Sequence, residues 1–244
     1  MDGVEVVVSH RERVTMRVGG TYLKVDADDA RLDREVSAMR VVDVPTPPIL
    51  WRKPHVLALA ALPGVQLGWL GEESTASSTA WEAAGAMARR IHAMPLPPWP
   101  GRGADDFTVY VDGECRWLVD NGVVPHGVVE RVRRRADVSL RPFPIVFTHG
   151  DYQAAHVLVE GDTVTGIIDW ADAVQGDSLW DLAVLTVGHP KRLNDVVRGY
   201  GRDVDREVIH GWWALRRIVA VRWMIEHGFD AAGDIAAVHS TANV

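Results

Sequence analysis

Residues 147–159, FTHGDYQAAHVLV, concentrate reactive side chains in an otherwise apolar stretch. His149, Gly150 and Asp151 form a polar knot between two apolar runs, and His156 follows five residues after the aspartate. Eighteen residues after Asp151, Asp169 stands near the end of the run GIIDW. The segment between them reads as two short strands around an EGDT turn. Two carboxylates at either end of a hairpin converge at its open end. Such a pair is what phosphoryl transfer needs. One acid accepts the proton of an attacking hydroxyl or orients it; the other holds Mg²⁺ against nucleotide phosphates. Upstream, the strand TYLKV offers Lys24 and the following helix offers Glu35. A strand lysine paired with a helix glutamate can grip the α- and β-phosphates. A second chemistry stays open: His149, Asp151, His156 and Asp169 are spaced as ligands of a metal-dependent hydrolase could be. That reading leaves Lys24 and Glu35 without a role.

These groups need elements to position them. Val4, Val6 and Val8 alternate, as do Val14, Met16 and Val18, so the amino-terminal region predicts strands with a turn at VGG. Residues 27–42 predict a helix, with acids crowding its first turn and Leu32, Val36 and Met39 on one stripe. The prolines of DVPTPPIL force an extended segment, and HVLALAAL reads as a short buried strand. Residues 1–62 therefore predict a small antiparallel sheet with one helix. Residues 75–94 predict a helix with Trp81, Ala84, Ala88 and Ile91 on one face, followed by a stiff PLPPWPGRG connector. Helical pieces are expected near 105–121 and 125–137, and from Leu179 onward the chain reads as mostly helical. Trp212, Trp213 and Trp223 read as core residues rather than as a pocket.

Composition bounds the partners. The chain has 244 residues, 47% of them hydrophobic, with a formal net charge of −7. That charge argues against binding nucleic acid or anionic lipid and suits a cationic small molecule. No apolar run approaches the roughly 20 residues of a membrane helix. The start, MDGVEVVVSH, has no basic leader, so a cytoplasmic protein without a signal peptide is expected. Cys115 is the lone cysteine, which excludes an internal disulfide and a cysteine metal cage.

With these residues in view, the chain resembles the aminoglycoside phosphotransferase family, antibiotic kinases related to choline kinases and built on the protein-kinase fold. HGDYQAAHVLV, GIIDWADAVQGD and DLAVL carry the resemblance most specifically. LKV, REVSAMR, LPG and ARRIHAM extend it along nearly the whole chain in order. The resemblance implies an α+β, bilobal fold. Its small antiparallel-sheet lobe, residues 1–62, would bind nucleotide; its mostly helical lobe, residues 63–244, would hold the catalytic loop and acceptor. It makes Asp151 the catalytic base or the acid that orients the hydroxyl, Asp169 the Mg²⁺ ligand, and Lys24 and Glu35 the phosphate-gripping pair. Ala60, Ala61 and Leu62 would form a hinge that hydrogen-bonds the purine of ATP or GTP. Asp181 would brace the HGD loop from a buried position, and His149 would anchor that loop. Asp172, Glu226 and Asp230 are candidates to face a cationic acceptor.

Two departures stand out. His156 occupies the family's asparagine position and could ligate metal through a neutral nitrogen or hydrogen-bond Asp151. The loop VVVSHRERVTM has no glycine where the first hairpin covers the phosphates, so Ser9 and backbone amides are the expected substitutes. The implied activity is transfer of a nucleotide γ-phosphate to an acceptor hydroxyl. A nucleotide-binding pseudokinase is the alternative that the two departures leave open.

Overall fold

Alternating apolar residues favour strands, and the first three form where the alternation is clearest. They are β1 (Val4–His10), β2 (Arg13–Val18) and β3 (Thr21–Asp26) in a computed structural model that describes residues 3–10, 12–101 and 103–242. The helix α1 (Asp29–Val41) follows. Asp28 caps it by accepting from the amide of Ala30, and Leu32, Glu35, Val36 and Met39 share its buried face. Two further strands, β4 (Ile49–Lys53) and β5 (Val56–Ala60), complete an antiparallel sheet in the order β1-β2-β3-β5-β4. The sequence had left residues 49–50 as the end of a proline-bound extension. They instead open an edge strand, a place where pairing on one side suffices.

The register of this sheet decides which side chains reach the rest of the chain. Val8 lies opposite Thr15, and Thr15 opposite Lys24. His10 lies opposite Arg13, and Arg13 opposite Asp26. Directly paired residues project from the same face, and successive residues from opposite faces. Lys24 therefore shares its face with Val8, His10 and Arg13, while Ser9, Val14 and Val25 share the other.

The larger part begins with β6 (Val65–Gln66) and α2 (Ser78–His92), whose cap is the Ser77 hydroxyl. Trp81, Ala84, Ala88 and Ile91 of α2 are fully buried, as their spacing predicts. Helices α3 (Ala104–Asp120) and α4 (His126–Ala136) lead to the strand β7 (Ile145–Thr148). The hairpin of β8 (Val157–Glu160) and β9 (Thr163–Ile167) turns at Gly161, and β6 joins it as a third strand. Then come β10 (Val174–Asp177), which pairs with β7, and the helices α5 (Ser178–Thr186), α6 (Leu193–Tyr200), α7 (Arg206–Glu226) and α8 (Ala232–Ala242). The strand β10 was not legible in the sequence, because VQGD has no alternating apolar pattern. Trp81, Phe147, Tyr152, Trp170 and Trp212 fill the core. The fold is α+β, with an antiparallel sheet and one helix ahead of a mostly helical body. Among the described residues no helix is long and apolar enough to cross a membrane.

Candidate active site

The strand β3 aims Lys24 across the gap between the sheet and the helical body. Its Nζ lies 2.5 Å from Glu35 Oε1 and 2.9 Å from Asp169 Oδ1. Burial alone would lower the lysine's pKa, but the carboxylates of Asp169 and Glu35 outweigh it and hold the ammonium charged far above the usual range. Burial pushes Glu35 up, against the pull of Lys24. Burial opposes ionisation of Asp169 too, yet Lys24 and His156 overcome it and keep its carboxyl well below the ordinary value. Asp169 sits just after β9 with φ 63° and ψ 64°. A left-handed backbone costs a residue with a β-carbon roughly 1–2 kcal/mol. The strain aims the carboxylate back at Lys24 instead of along the strand.

The HGD loop is held from below. Asp181, fully buried in α5, accepts the amides of His149 at 2.8 Å and Gly150 at 3.0 Å, and its Oδ2 lies 3.1 Å from His92 Nε2. Gly150 has φ +83°, and a β-carbon there would lie 2.1 Å from the carbonyl oxygen of Asp172, so only glycine fits. His149 is buried against Trp170, and its Nε2 lies 3.1 Å from the carbonyl of Ile168. It faces the core and anchors the loop.

Asp151 emerges at the tip of this loop. Gln153 Nε2 donates to its Oδ2 at 2.7 Å, and Arg216 of α7 stands 3.4 Å from its Oδ1. Burial would raise its pKa, but His156, Arg216 and Gln153 prevail and hold the carboxyl below the ordinary range. His156 bridges the two acids. Its Nδ1 lies 2.8 Å from the main-chain carbonyl of Asp151, an acceptor, so that nitrogen carries the proton. Its Nε2 lies 3.7 Å from Asp169 Oδ2, where the cationic ring turns a second N–H toward that carboxylate and the neutral ring a lone pair.

The carboxylate of Asp169 suits a divalent cation of the Mg²⁺ kind, and an ion held mainly by substrate phosphates and water asks few protein ligands. The imidazole of His156 across from it suits such an ion less well. Imidazole is softer than the carbonyl oxygen that an asparagine would supply. Among the described residues no three His, Cys, Asp or Glu side chains gather to cage a metal. With His149 turned inward, the four-ligand hydrolase arrangement does not form.

A cleft of about 760 Å³ opens beside Asp151 and Asp169. Val8, His10, Arg13 and Arg34 line it from the sheet and α1; Phe107, Tyr110, Trp180, Trp223 and Phe229 line it from the helical body. Trp223 thus belongs to the cleft wall rather than to the core, because the end of α7 is only partly covered, whereas Trp212 is buried as expected. A second cavity of about 580 Å³ lies behind the HGD loop, between α5, α7 and α8. Gln153 and Arg216 line both.

Several expected site residues lie elsewhere. Ser9 is exposed on the face of β1 opposite to Lys24, because strand alternation sends Val8 and His10, not their neighbour, into the cleft. The amide of Ala61 already donates to the carbonyl of Gly20 at 2.8 Å, so it is not free for a purine. Glu226 does not line the cleft; it pairs with Arg222 at 2.9 Å, one helical turn away. Asp230 likewise turns away and accepts the amide of Ala232 at the start of α8. Asp172 lines the cleft with an exposed side chain. Conversely, Gln153 and Arg216 went unnoticed in the sequence. Gln153 follows Asp151 by two residues and its position was a usable signal; Arg216 comes from a helix 65 residues on, and nothing local marks it.

A sequence profile described as the phosphotransferase enzyme family matches residues 10–218. No curated protein matches the chain. Solved structures share its fold at low identity. A choline/ethanolamine kinase family protein from Mesorhizobium loti superposes with a TM-score of 0.73 at 18% identity, covering 99% of this chain and 87% of that one. The macrolide 2'-phosphotransferase MphH from Brachybacterium faecium gives 0.69 at 18% identity, covering 100% and 91%. The GDP complex of aminoglycoside 2'-phosphotransferase-IIIa gives 0.74 at 14% identity, covering 100% and 92%. The match over most of its length makes this chain a member of the phosphotransferase enzyme family, a kinase-like enzyme that transfers phosphoryl groups to hydroxyls.

Proposed function

We propose that the protein moves the γ-phosphoryl group of ATP or GTP onto a hydroxyl of a small amine-bearing natural product of the aminoglycoside or macrolide kind. The meeting of Asp151 and Asp169 at His156, with Lys24 bonded to the second acid, carries this reading.

The residues divide the work. Lys24, kept charged by its two carboxylates, is placed to neutralise the nucleotide phosphates. Asp151, kept ionised by Gln153, Arg216 and His156, accepts the hydrogen bond of the acceptor hydroxyl and turns its oxygen toward phosphorus. The acceptor oxygen forms a bond to the γ-phosphorus while the bond from that phosphorus to the bridging oxygen breaks. The nucleoside diphosphate leaves, and the hydroxyl proton passes to Asp151 and then to solvent. Most of the rate comes from alignment and charge rather than covalent chemistry. When bound, Mg²⁺ would be held by Asp169 and the Nε2 of His156 and would offset the phosphate charge.

The acceptor walls favour one kind of molecule. The cleft carries five aromatic side chains, and the cavity behind it is lined in part by alanine, leucine and valine; Asp172, Asp177 and Asp234 are outlying carboxylates, offset by Arg34, Arg216 and Arg217 in the same walls. An acceptor with an apolar body and one or two amines suits this lining better than a dense polycation does. Among the structural neighbours, MphH is described as a macrolide phosphotransferase and APH(2")-IIIa has been seen with kanamycin, so both classes belong in the assay. Nucleotide-dependent phosphorylation should be measured across a panel of macrolides and aminoglycosides, with ATP and GTP. The variant Asp151→Ala is expected to lose about 10³-fold in kcat while its nucleotide affinity stays within about twofold of wild type. A near-normal rate in that variant would remove the assignment.

A second reading, a nucleotide-binding pseudokinase, draws on His156 in the asparagine position and on the glycine-free hairpin. Nucleotide binding without transfer to any acceptor would favour it. Transfer gained in His156→Asn would identify the histidine as the impediment.

A further inference from the structure

The glycine-free hairpin between β1 and β2 leaves the phosphates without a glycine-rich cover. In kinases of related architecture, backbone amides of such a loop lie over the phosphates. Here the first residue of β2, Arg13, offers a side chain. The register puts Arg13 on the face of Lys24, and it lines both the small pocket around Lys24, Glu35 and Asp169 and the cleft that holds Asp151. It therefore stands where the two ends of the reaction meet. Among the described residues Arg13 forms no ion pair, although its charge reaches Asp169 and Asp172.

Its orientation is fixed. Arg13 Nε donates to His10 Nε2 at 2.7 Å, which leaves both terminal nitrogens of the guanidinium for other acceptors. His10 is gripped in turn by the end of α7. Its ring meets Trp223 edge-on at 5.9 Å and His227 at 5.2 Å, and Trp223 stacks on Phe229 at 5.5 Å. The aromatic contact docks the small lobe on the large one and holds the arginine over the cleft. A planar two-nitrogen fork matches the oxygens of a phosphoryl group, which a lysine's point charge does not.

We propose that Arg13 is a catalytic residue that binds the transferring phosphoryl group through its two terminal nitrogens, with His10 as its positioning residue, in place of an amide-lined loop. This rests on the phosphoryl-transfer reading of Asp151 and Asp169. Arg13 breaks no bond itself; it neutralises the non-bridging oxygens as charge spreads over them.

The test compares wild type, Arg13→Ala and Arg13→Lys in two measurements. The first is steady-state transfer with the acceptor found in the panel. Both variants are expected to lose at least about 10²-fold in kcat, the magnitude of one preorganised donor. The second is affinity for ADP or GDP with Mg²⁺, with and without aluminium fluoride as a mimic of the phosphoryl group in flight. Wild type is expected to bind the diphosphate at least tenfold more tightly with the mimic, and both variants to lose that gain while binding the diphosphate alone as wild type does. A kcat within threefold of wild type, or an unchanged response to the fluoride, overturns the role of Arg13 while leaving the phosphotransferase reading standing. Wild type that binds neither nucleotide overturns both.

Discussion

The carboxylate of Asp181 holds the amide of Gly150 at 3.0 Å, and with the same group it holds the amide of His149 at 2.8 Å. The loop that presents Asp151 is thus hung from a side chain in another helix, α5. An asparagine there has one acceptor oxygen for three donors and must turn its own donors toward one of them. Leaving a buried donor unmet costs about 1–3 kcal/mol. Asp181→Asn is expected to lose about 2 kcal/mol of stability by urea denaturation and at least tenfold in kcat. A variant as stable and active as wild type would show that the loop holds its shape without the brace.

Removing Lys24 strands Glu35, whose side chain is 1% exposed. Breaking one side of such a pair costs roughly 3–5 kcal/mol, because a buried charge loses its partner. Lys24→Ala should therefore melt earlier as well as lose activity. The double variant Lys24→Met, Glu35→Gln should recover much of the stability and none of the activity. Denaturation curves together with kcat measurements separate the two effects.

The pH profile depends on who holds Asp151 ionised. His156, Arg216 and Gln153 lower its pKa below the usual carboxylate range, so the charged form persists as pH falls. The acid limb of kcat/KM assigned to this group should lie below the ordinary carboxylate range. Removing a positive neighbour favours the protonated form, so Arg216→Ala should move that limb to higher pH. Profiles of both proteins decide it; a limb that does not move means that Arg216 does not act on Asp151.

Gly150→Ala meets two obstacles at once, a φ of +83° and the carbonyl of Asp172 at 2.1 Å from the new β-carbon. The strain of the left-handed backbone alone is roughly 1–2 kcal/mol. A loss of at least about 2 kcal/mol, with activity below detection, is expected from thermal melts and transfer assays.

Much of this arrangement was legible because local chemistry and local spacing coincide in it. Asp151, His156 and Asp169 flank one short hairpin, and the burial of Leu32, Val36 and Met39 follows from helical spacing. What stayed hidden depends on pairing between distant strands or helices. Arg13 and Ser9 differ only in which face of the sheet they occupy, and that requires the register of Thr15 against Lys24. Glu226 is the exception: Arg222, one turn back on the same helix, holds it, and that spacing is local. The cleft itself joins α3, α7 and the HGD loop, which no single window of sequence contains.

Gln153 and Arg216 line both the cleft and the cavity behind it. The same two side chains hold Asp151. A substitution at either position therefore reshapes two chambers and loosens that carboxylate in one step.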